Sequence, residues 1–147
     1  MTTASDLPSP RPISSEPTAR VLIVDDDAIV REIYGLALER AGYGVLAAAD
    51  GLEGLEMVAS ARPDFVFLDI RMPKLDGIGV LKRIVADHTT REIPIVMLSN
   101  YDEPDVVRET LELGAKEYLV KVNIDPRDLP AVVSRWVRPV EPSSTAR

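Results

Sequence analysis

The chain has 147 residues, 46% of them hydrophobic, which is enough for one domain with a single packed core. A formal net charge of -7 argues against a broad surface for nucleic acid or anionic lipid, and the lack of cysteine excludes disulfides and thiolate metal sites. No apolar run is long enough for a signal peptide or a membrane span. We therefore expect a cytoplasmic protein that contacts neither membrane nor nucleic acid directly.

Proline-rich and serine-rich ends flank the predicted domain. Residues 1–19 contain four prolines and few groups able to enter a core, and residues 139–147 have the same character. Such composition is typical of disordered segments. The folded unit is therefore predicted to be residues 20–138.

Five short apolar runs lie inside this unit and are separated by helical patterns. None of the runs alternates between apolar and polar residues, which predicts strands buried on both faces, as in a parallel sheet covered by helices. The runs are VLIV (21–24), VLAA (45–48), FVFLD (65–69), IVML (95–98) and YLV (118–120).

Helices are predicted between these strands, with residues suited to their ends. Gly42 and Gly114 stand where the first and fourth helices would stop, and Asp50 and Asp102 where the second and fourth would be capped. The predicted helices cover residues 28–41, 52–61, 78–86 and 104–113, and a fifth ends near residue 138.

The start of the fifth helix is set by its prolines. Pro130 would clash inside a helix that began at Pro126, so we expect the helix to begin near Leu129 with Asp128 as its cap. Five strand-helix pairs then predict an α/β fold, a doubly wound five-stranded parallel sheet with five helices.

Polar residues follow four of the predicted strands, at the sheet edge where doubly wound folds bind ligands. Carboxylates gathered at this edge would repel one another unless a cation held them ionised. An all-oxygen ligand set suits Mg²⁺. The residues are Asp25, Asp26, Asp69, Ser99 and Lys121.

This set is equipped for phosphoryl transfer to a carboxylate. Asp69 would attack phosphorus, Lys121 and Mg²⁺ would neutralise the phosphoryl oxygens, and Ser99 would donate a hydrogen bond to one of them. The sequence has no phosphate-binding loop motif and no dinucleotide-binding signature. Its one histidine, His88, is predicted to be a surface residue.

Four motifs, VLIVDDD, FVFLDIRMPKLDG, PIVMLSN and LGAKEYLVK, resemble the receiver domain of two-component response regulators in order and position. The resemblance spans residues 20–138 and implies a flavodoxin-like receiver fold. It further implies that Asp69 accepts a phosphoryl group from a histidine kinase or a histidine phosphotransfer protein. Mg²⁺ would be bound by Asp26, Asp69 and the backbone carbonyl of Arg71, with Asp25 acting through water.

The resemblance also implies a switch rather than an enzyme. Lys121 would pair with the phosphate, Ser99 would move toward it, and Tyr118 would turn inward behind Ser99. The signal would leave through the face of helix four, strand five and helix five, toward a downstream protein or a second copy in a phosphorylation-dependent homodimer. The chain would be a stand-alone regulator or a piece of a longer protein.

One departure and two alternatives accompany this interpretation. Val122 follows Lys121 where receivers usually have proline, so we expect a trans bond and an altered path through KVNID. A haloacid-dehalogenase-like phosphatase would instead use Asp25 of VDDDAI as its nucleophile. A degenerate receiver would bind partners without phosphorylation.

Three further residues are predicted to have local roles. Asp27 is expected to cap the first helix, and Asp76 with Gly77 to form a turn in which the glycine has positive φ. Trp136 is expected to face the core or an interface on helix five.

Overall fold

The computed structural model describes residues 18–137, so the two predicted disordered segments lie outside the described residues, apart from Thr18 and Ala19. Every predicted strand and helix is present, with ends within two residues of their predicted positions. The strands are β1 (Arg20–Val24), β2 (Gly44–Ala48), β3 (Phe65–Leu68), β4 (Ile95–Ser99) and β5 (Glu117–Val120). The helices are α1 (Ala28–Arg40), α2 (Gly51–Ala61), α3 (Gly77–Ala86), α4 (Pro104–Leu113) and α5 (Leu129–Trp136).

All five strands form one parallel sheet in the order β2-β1-β3-β4-β5. The predicted doubly wound fold is therefore confirmed. The chain reverses its direction across the sheet between β1 and β3, and ligands bind in α/β sheets at this kind of switch point. Because Val24 is in register with Leu68, the residues that follow these strands, Asp25 and Asp69, leave the sheet side by side.

Two apolar clusters cover the two faces of the sheet. Along β1, Leu22 and Val24 enter the cluster that contains residues of α2 and α3, whereas Val21 and Ile23 enter the cluster that contains residues of α1 and α5. Burial on both faces explains why the strands read as continuous apolar runs. Among residues 18–137, no helix has the length and apolar character needed to cross a membrane.

Two of the four aspartates predicted to cap helices, Asp27 and Asp50, do so with their side chains. The Asp27 and Asp50 side chains accept hydrogen bonds from the first turns of α1 and α2. The prediction for Asp102 was wrong, because Glu103 occupies the cap position of α4, where its side chain makes no capping hydrogen bond. Pro104 is the first helical residue, where its missing N–H and fixed φ favour a helix start.

Glycines at the helix ends are required for two different reasons, a positive φ angle or a lack of space for a side chain. Gly42 and Gly114 have φ angles of 100° and 125° after α1 and α4, as expected for helix termination. The predicted positive φ of Gly77 was wrong. Gly77 is needed for space instead, since a Cβ there would overlap the backbone carbonyl of Asp69. Asp76 serves as the cap of α3.

The fifth helix begins at Leu129, as predicted, but Asp128 makes no capping hydrogen bond. A separate 3-10 turn, Pro126–Asp128, precedes the helix, so the first proline lies at the start of this turn and not inside α5. Trp136 is 39% exposed, so the core-facing alternative was wrong and the interface alternative stays a prediction.

We expect Gly51→Ala to lower the free energy of unfolding by about 1–3 kcal/mol, the usual cost of forcing an atom into a packed region. A Cβ at Gly51 would overlap the backbone carbonyl of Leu75, which cannot move without shifting the loop between β3 and α3. Gly35→Ala is the control, because its Cβ would lie 3.4 Å from Val45 Cγ1, an ordinary contact. Urea unfolding of both variants gives the comparison, and equal midpoints would contradict this account.

Candidate functional site

Three aspartates meet at the carboxyl ends of β1 and β3. One carboxylate oxygen from each of Asp25, Asp26 and Asp69 lies within 4.8 Å of the other two. Asp25 and Asp69 are only 2% and 7% exposed, whereas Asp26 faces solvent. The site therefore has a buried side and an open side.

Lys121 supplies the positive charge on the buried side. Its Nζ lies 2.6 Å from Asp25 Oδ2 and 3.3 Å from Asp69 Oδ2. Every peptide bond in the described part of the chain is trans, and the backbone turns into a 3-10 helix at Lys121–Asn123. The expected trans bond at Val122 is thus confirmed, and the lysine reaches both carboxylates without the usual proline. The altered backbone path through KVNID stays a prediction.

The pKa values of Asp69 and Lys121 are both raised in this cluster. Burial raises the pKa of the Asp69 carboxyl and the charge of Asp25 raises it further, while Lys121 opposes the change. Burial alone would lower the pKa of Lys121, but its hydrogen bond to Asp25 and the charge of Asp69 outweigh that effect and raise it. The lysine therefore stays protonated between the two carboxylates.

Asp25 and Asp26 differ in how they are held. Asp25 Oδ1 accepts a hydrogen bond of 2.9 Å from the Asp27 amide, and its Oδ2 pairs with Lys121. Within residues 18–137, the Asp26 carboxylate makes no hydrogen bond or ion pair. Asp25 is therefore a structural member of the cluster, and Asp26 is free to take a ligand.

The donor set fits a hard divalent cation. Three carboxylates face one lysine, which leaves the cluster with excess negative charge, and all the available ligands are oxygen atoms. Asp25, Asp26 and Asp69 are the residues that could hold such a cation. His88 is exposed at the end of α3, as predicted.

Tyr101 joins the two residues predicted to act as a switch. Ser99 is 2% exposed at the end of β4, and its Oγ accepts a hydrogen bond of 3.1 Å from the Tyr101 amide. The Tyr118 hydroxyl donates to the Tyr101 carbonyl. Burial raises the pKa of Tyr118, and Ser99 lies close enough to its hydroxyl to oppose that rise. Nothing in the sequence pattern had indicated Tyr101.

A cavity of about 280 Å³ opens beside Asp69. The Arg71 guanidinium lies 3.8 Å from the centroid of the Tyr101 ring, in cation-π contact, and forms one wall of this cavity with it. The cavity is lined by Asp69, Arg71, Ser99, Asn100, Tyr101 and Lys121. A carboxylate, a hydroxyl and two cations thus surround a space suited to a small anionic group.

Comparisons with known proteins agree with this geometry. A family model described as the response regulator receiver domain matches residues 21–134. The transcriptional regulatory protein CseB of Streptomyces coelicolor is 46% identical over 102 residues, which cover 69% of this chain and 42% of that protein. The DNA-binding dual master transcriptional regulator RpaA of Synechocystis is 34% identical over 116 residues, which cover 79% of this chain and 46% of that protein.

The same architecture occurs in solved structures. The chemotaxis protein CheY4 of Vibrio cholerae superposes with a TM-score of 0.75 at 34% identity, over 81% of this chain and 98% of that one. This chain thus matches nearly the whole of the CheY4 chain, but it spans about half the length of the curated relatives it matches.

We expect Asp69→Asn to raise the free energy of unfolding in Mg²⁺-free buffer by roughly 0.5–2 kcal/mol, as is common when a strained site is relieved. The amide removes a buried charge that faces Asp25, while Lys121 keeps its shorter contact with Asp25. Mg²⁺ is expected to stabilise the wild type but not this variant. Urea unfolding with and without Mg²⁺ gives both values.

Asp102→Asn is the control for this comparison. Asp102 is exposed, so its effect on stability is expected to stay within about 0.5 kcal/mol. A loss of stability in Asp69→Asn would show that repulsion within the cluster is not the dominant effect.

Proposed function

This chain belongs to the response regulator receiver domain family of two-component systems, and on that premise we propose that Asp69 is its phosphoryl acceptor. The family acts as a signalling switch rather than as a catalyst. The observation that carries the proposal is that the Lys121 ammonium bridges Asp25 and Asp69 at the carboxyl ends of the strands. It places a positive charge where a phosphoryl group on Asp69 would develop negative charge.

The proposed reaction transfers a phosphoryl group from a phosphohistidine of a kinase or phosphotransfer protein. An Asp69 oxygen forms a bond to phosphorus as the bond from phosphorus to the histidine nitrogen breaks, and that nitrogen leaves with the electron pair. Lys121 neutralises phosphoryl oxygens. Asp26, Asp69 and the Arg71 carbonyl would hold Mg²⁺, which supplies further charge neutralisation when bound.

Ser99, Tyr101 and Tyr118 are proposed to carry the signal away from Asp69. A phosphate adds a charge of about -1.5 to -2 near neutral pH, and a hydroxyl that turns to donate to it changes its other contacts. Ser99 Oγ accepts from the Tyr101 amide, so its movement disturbs the segment that receives the Tyr118 hydrogen bond. Tyr118 lies on β5, so the change reaches the edge of the sheet.

The proposed output surface is the face formed by α4, β5 and α5. It exposes Leu111 and Trp136, which are 42% and 39% accessible. A downstream protein or a second copy of the chain would bind there. The absence of direct nucleic-acid contact and the cytoplasmic location stay predictions, since one relative is named as a DNA-binding regulator and this chain spans less than half of it.

The proposed docking surface for the phosphohistidine donor borders the mouth of the site. Val122 follows Lys121 directly and is 79% exposed, and Ile29 lies in the first turn of α1 with 64% exposure. Ile33 and Leu36 continue this apolar stripe along α1, with 47% and 46% exposure. A donor seated on the stripe would bring its histidine to the open side of the cluster.

Incubation with acetyl phosphate and Mg²⁺ tests the acceptor. We expect mass spectrometry to locate one phosphoryl group on Asp69, with labelling abolished in Asp69→Asn and by chelation of Mg²⁺. Absence of label from acetyl phosphate and from histidine donors would instead indicate a degenerate receiver. Label that persists in Asp69→Asn but is lost in Asp25→Asn would indicate the phosphatase chemistry, although Asp25 is buried and both its oxygens are engaged.

Ile33→Asp tests the donor surface. We expect phosphotransfer from a phosphohistidine protein to slow at least tenfold, because a charge would be buried in an apolar contact, which costs about 1–3 kcal/mol or more. The rate with acetyl phosphate should not change, since that donor needs no protein surface. Leu111→Asp on α4 is the matched control. Equal slowing in both variants would place the donor elsewhere.

A further inference from the structure

Asp26 is the one carboxylate of the cluster that no protein group holds within residues 18–137. The peptide groups before and after Asp26 are each fixed by a hydrogen bond. The Asp27 amide donates to Asp25 Oδ1 at 2.9 Å, which fixes the peptide group after Asp26. The peptide group before Asp26 presents the Asp25 carbonyl, and that oxygen has its own donor. The backbone on either side of Asp26 is therefore held in place, and with it the Cα from which the Asp26 side chain extends.

Arg31 is the donor to the Asp25 carbonyl. Its Nη1 lies 2.7 Å from that oxygen, and the side chain reaches it from α1, six residues along the chain. Arg31 is partly buried, and it lines a groove between α1 and the edge strand β2. The guanidinium thus crosses from the helix to the end of the strand and ties the two together at the acidic loop.

We propose that Arg31 is a positioning residue for Asp26, which it orients toward a divalent cation through the peptide group between Asp25 and Asp26. This inference rests on the proposed Mg²⁺ site. It assigns to Arg31 a role in cation affinity but none in contact with the cation or the phosphoryl group. Losing an outer hydrogen-bond partner of a metal site typically weakens binding about tenfold to a hundredfold.

The charge of Arg31 makes the test decisive, because its orienting role and its charge predict opposite changes in Mg²⁺ affinity when Arg31 is replaced by a neutral residue. A guanidinium bonded to the backbone of the acidic loop repels a cation bound at that loop, so removing its charge alone would tighten Mg²⁺ binding. Removing an orienting hydrogen bond would weaken it. A weaker affinity in a neutral variant therefore identifies the positioning role.

The experiment measures the Mg²⁺ dissociation constant of the full chain by isothermal titration calorimetry, without any phosphoryl donor. Arg31→Met and Arg31→Gln remove the charge and cannot reach the carbonyl, so each is expected to weaken binding about tenfold. Arg31→Lys keeps a donor of similar reach and is expected to restore most of the affinity. Arg40→Met, which removes an exposed arginine of the same helix, is the matched control and should match the wild type.

Labelling by acetyl phosphate at saturating Mg²⁺ separates positioning from general damage. The rate at saturation should stay within about twofold of wild type in the Arg31 variants, with only the Mg²⁺ requirement raised. Unchanged or tighter Mg²⁺ binding in Arg31→Met and Arg31→Gln would overturn this inference and leave the proposed function intact. Failure of the wild type to bind Mg²⁺ would overturn the proposed site itself, and this inference with it.

Discussion

The ion pairs of Lys121 are the interaction on which the rest of the site depends. Without a cation, the buried carboxylates of Asp25 and Asp69 would be destabilised by desolvation and by mutual repulsion. The Lys121 Nζ offsets both effects, since it lies 2.6 Å from Asp25 Oδ2 and 3.3 Å from Asp69 Oδ2. It also has a mechanical effect. Asp25 and Asp69 follow central strands and Lys121 follows the edge strand β5, so one ammonium group links three strands across the end of β4.

The parallel sheet explains why Asp69, the proposed acceptor, and Asp26, the proposed metal ligand, have different surroundings. Asp69 leaves a fully buried strand, and its amide donates to the Val24 carbonyl at 3.0 Å, so its position is set by the core. Asp26 lies one residue farther from β1 than Asp25 and already belongs to the turn that enters α1. The packed core therefore sets the position of Asp69, whereas Asp26 faces solvent and takes its position from the turn that enters α1.

The sequence was sufficient to predict the fold and the membership of the cluster, because both follow from topology. Once five parallel strands are recognised, the residues after them must meet at one edge, and this places Asp69 and Lys121 together. The sequence could not show contacts that depend on side-chain reach or on loop packing. Tyr101 contacts Ser99 and Tyr118 through its own backbone amide and carbonyl, and Arg31 reaches the backbone carbonyl of Asp25. Gly77 has no side chain because the Asp69 carbonyl lies against it.

Trp136 gives the protein an optical property that follows from its place on α5. It is the only tryptophan of the chain, its indole N–H donates to Glu117 on β5, and Lys116 lies 5.8 Å from the centroid of its ring. Indole fluorescence responds to nearby charge and to the loss of a hydrogen bond. Selective excitation of this one fluorophore therefore reports on the α5–β5 contact in unlabelled protein, in real time and without an introduced dye.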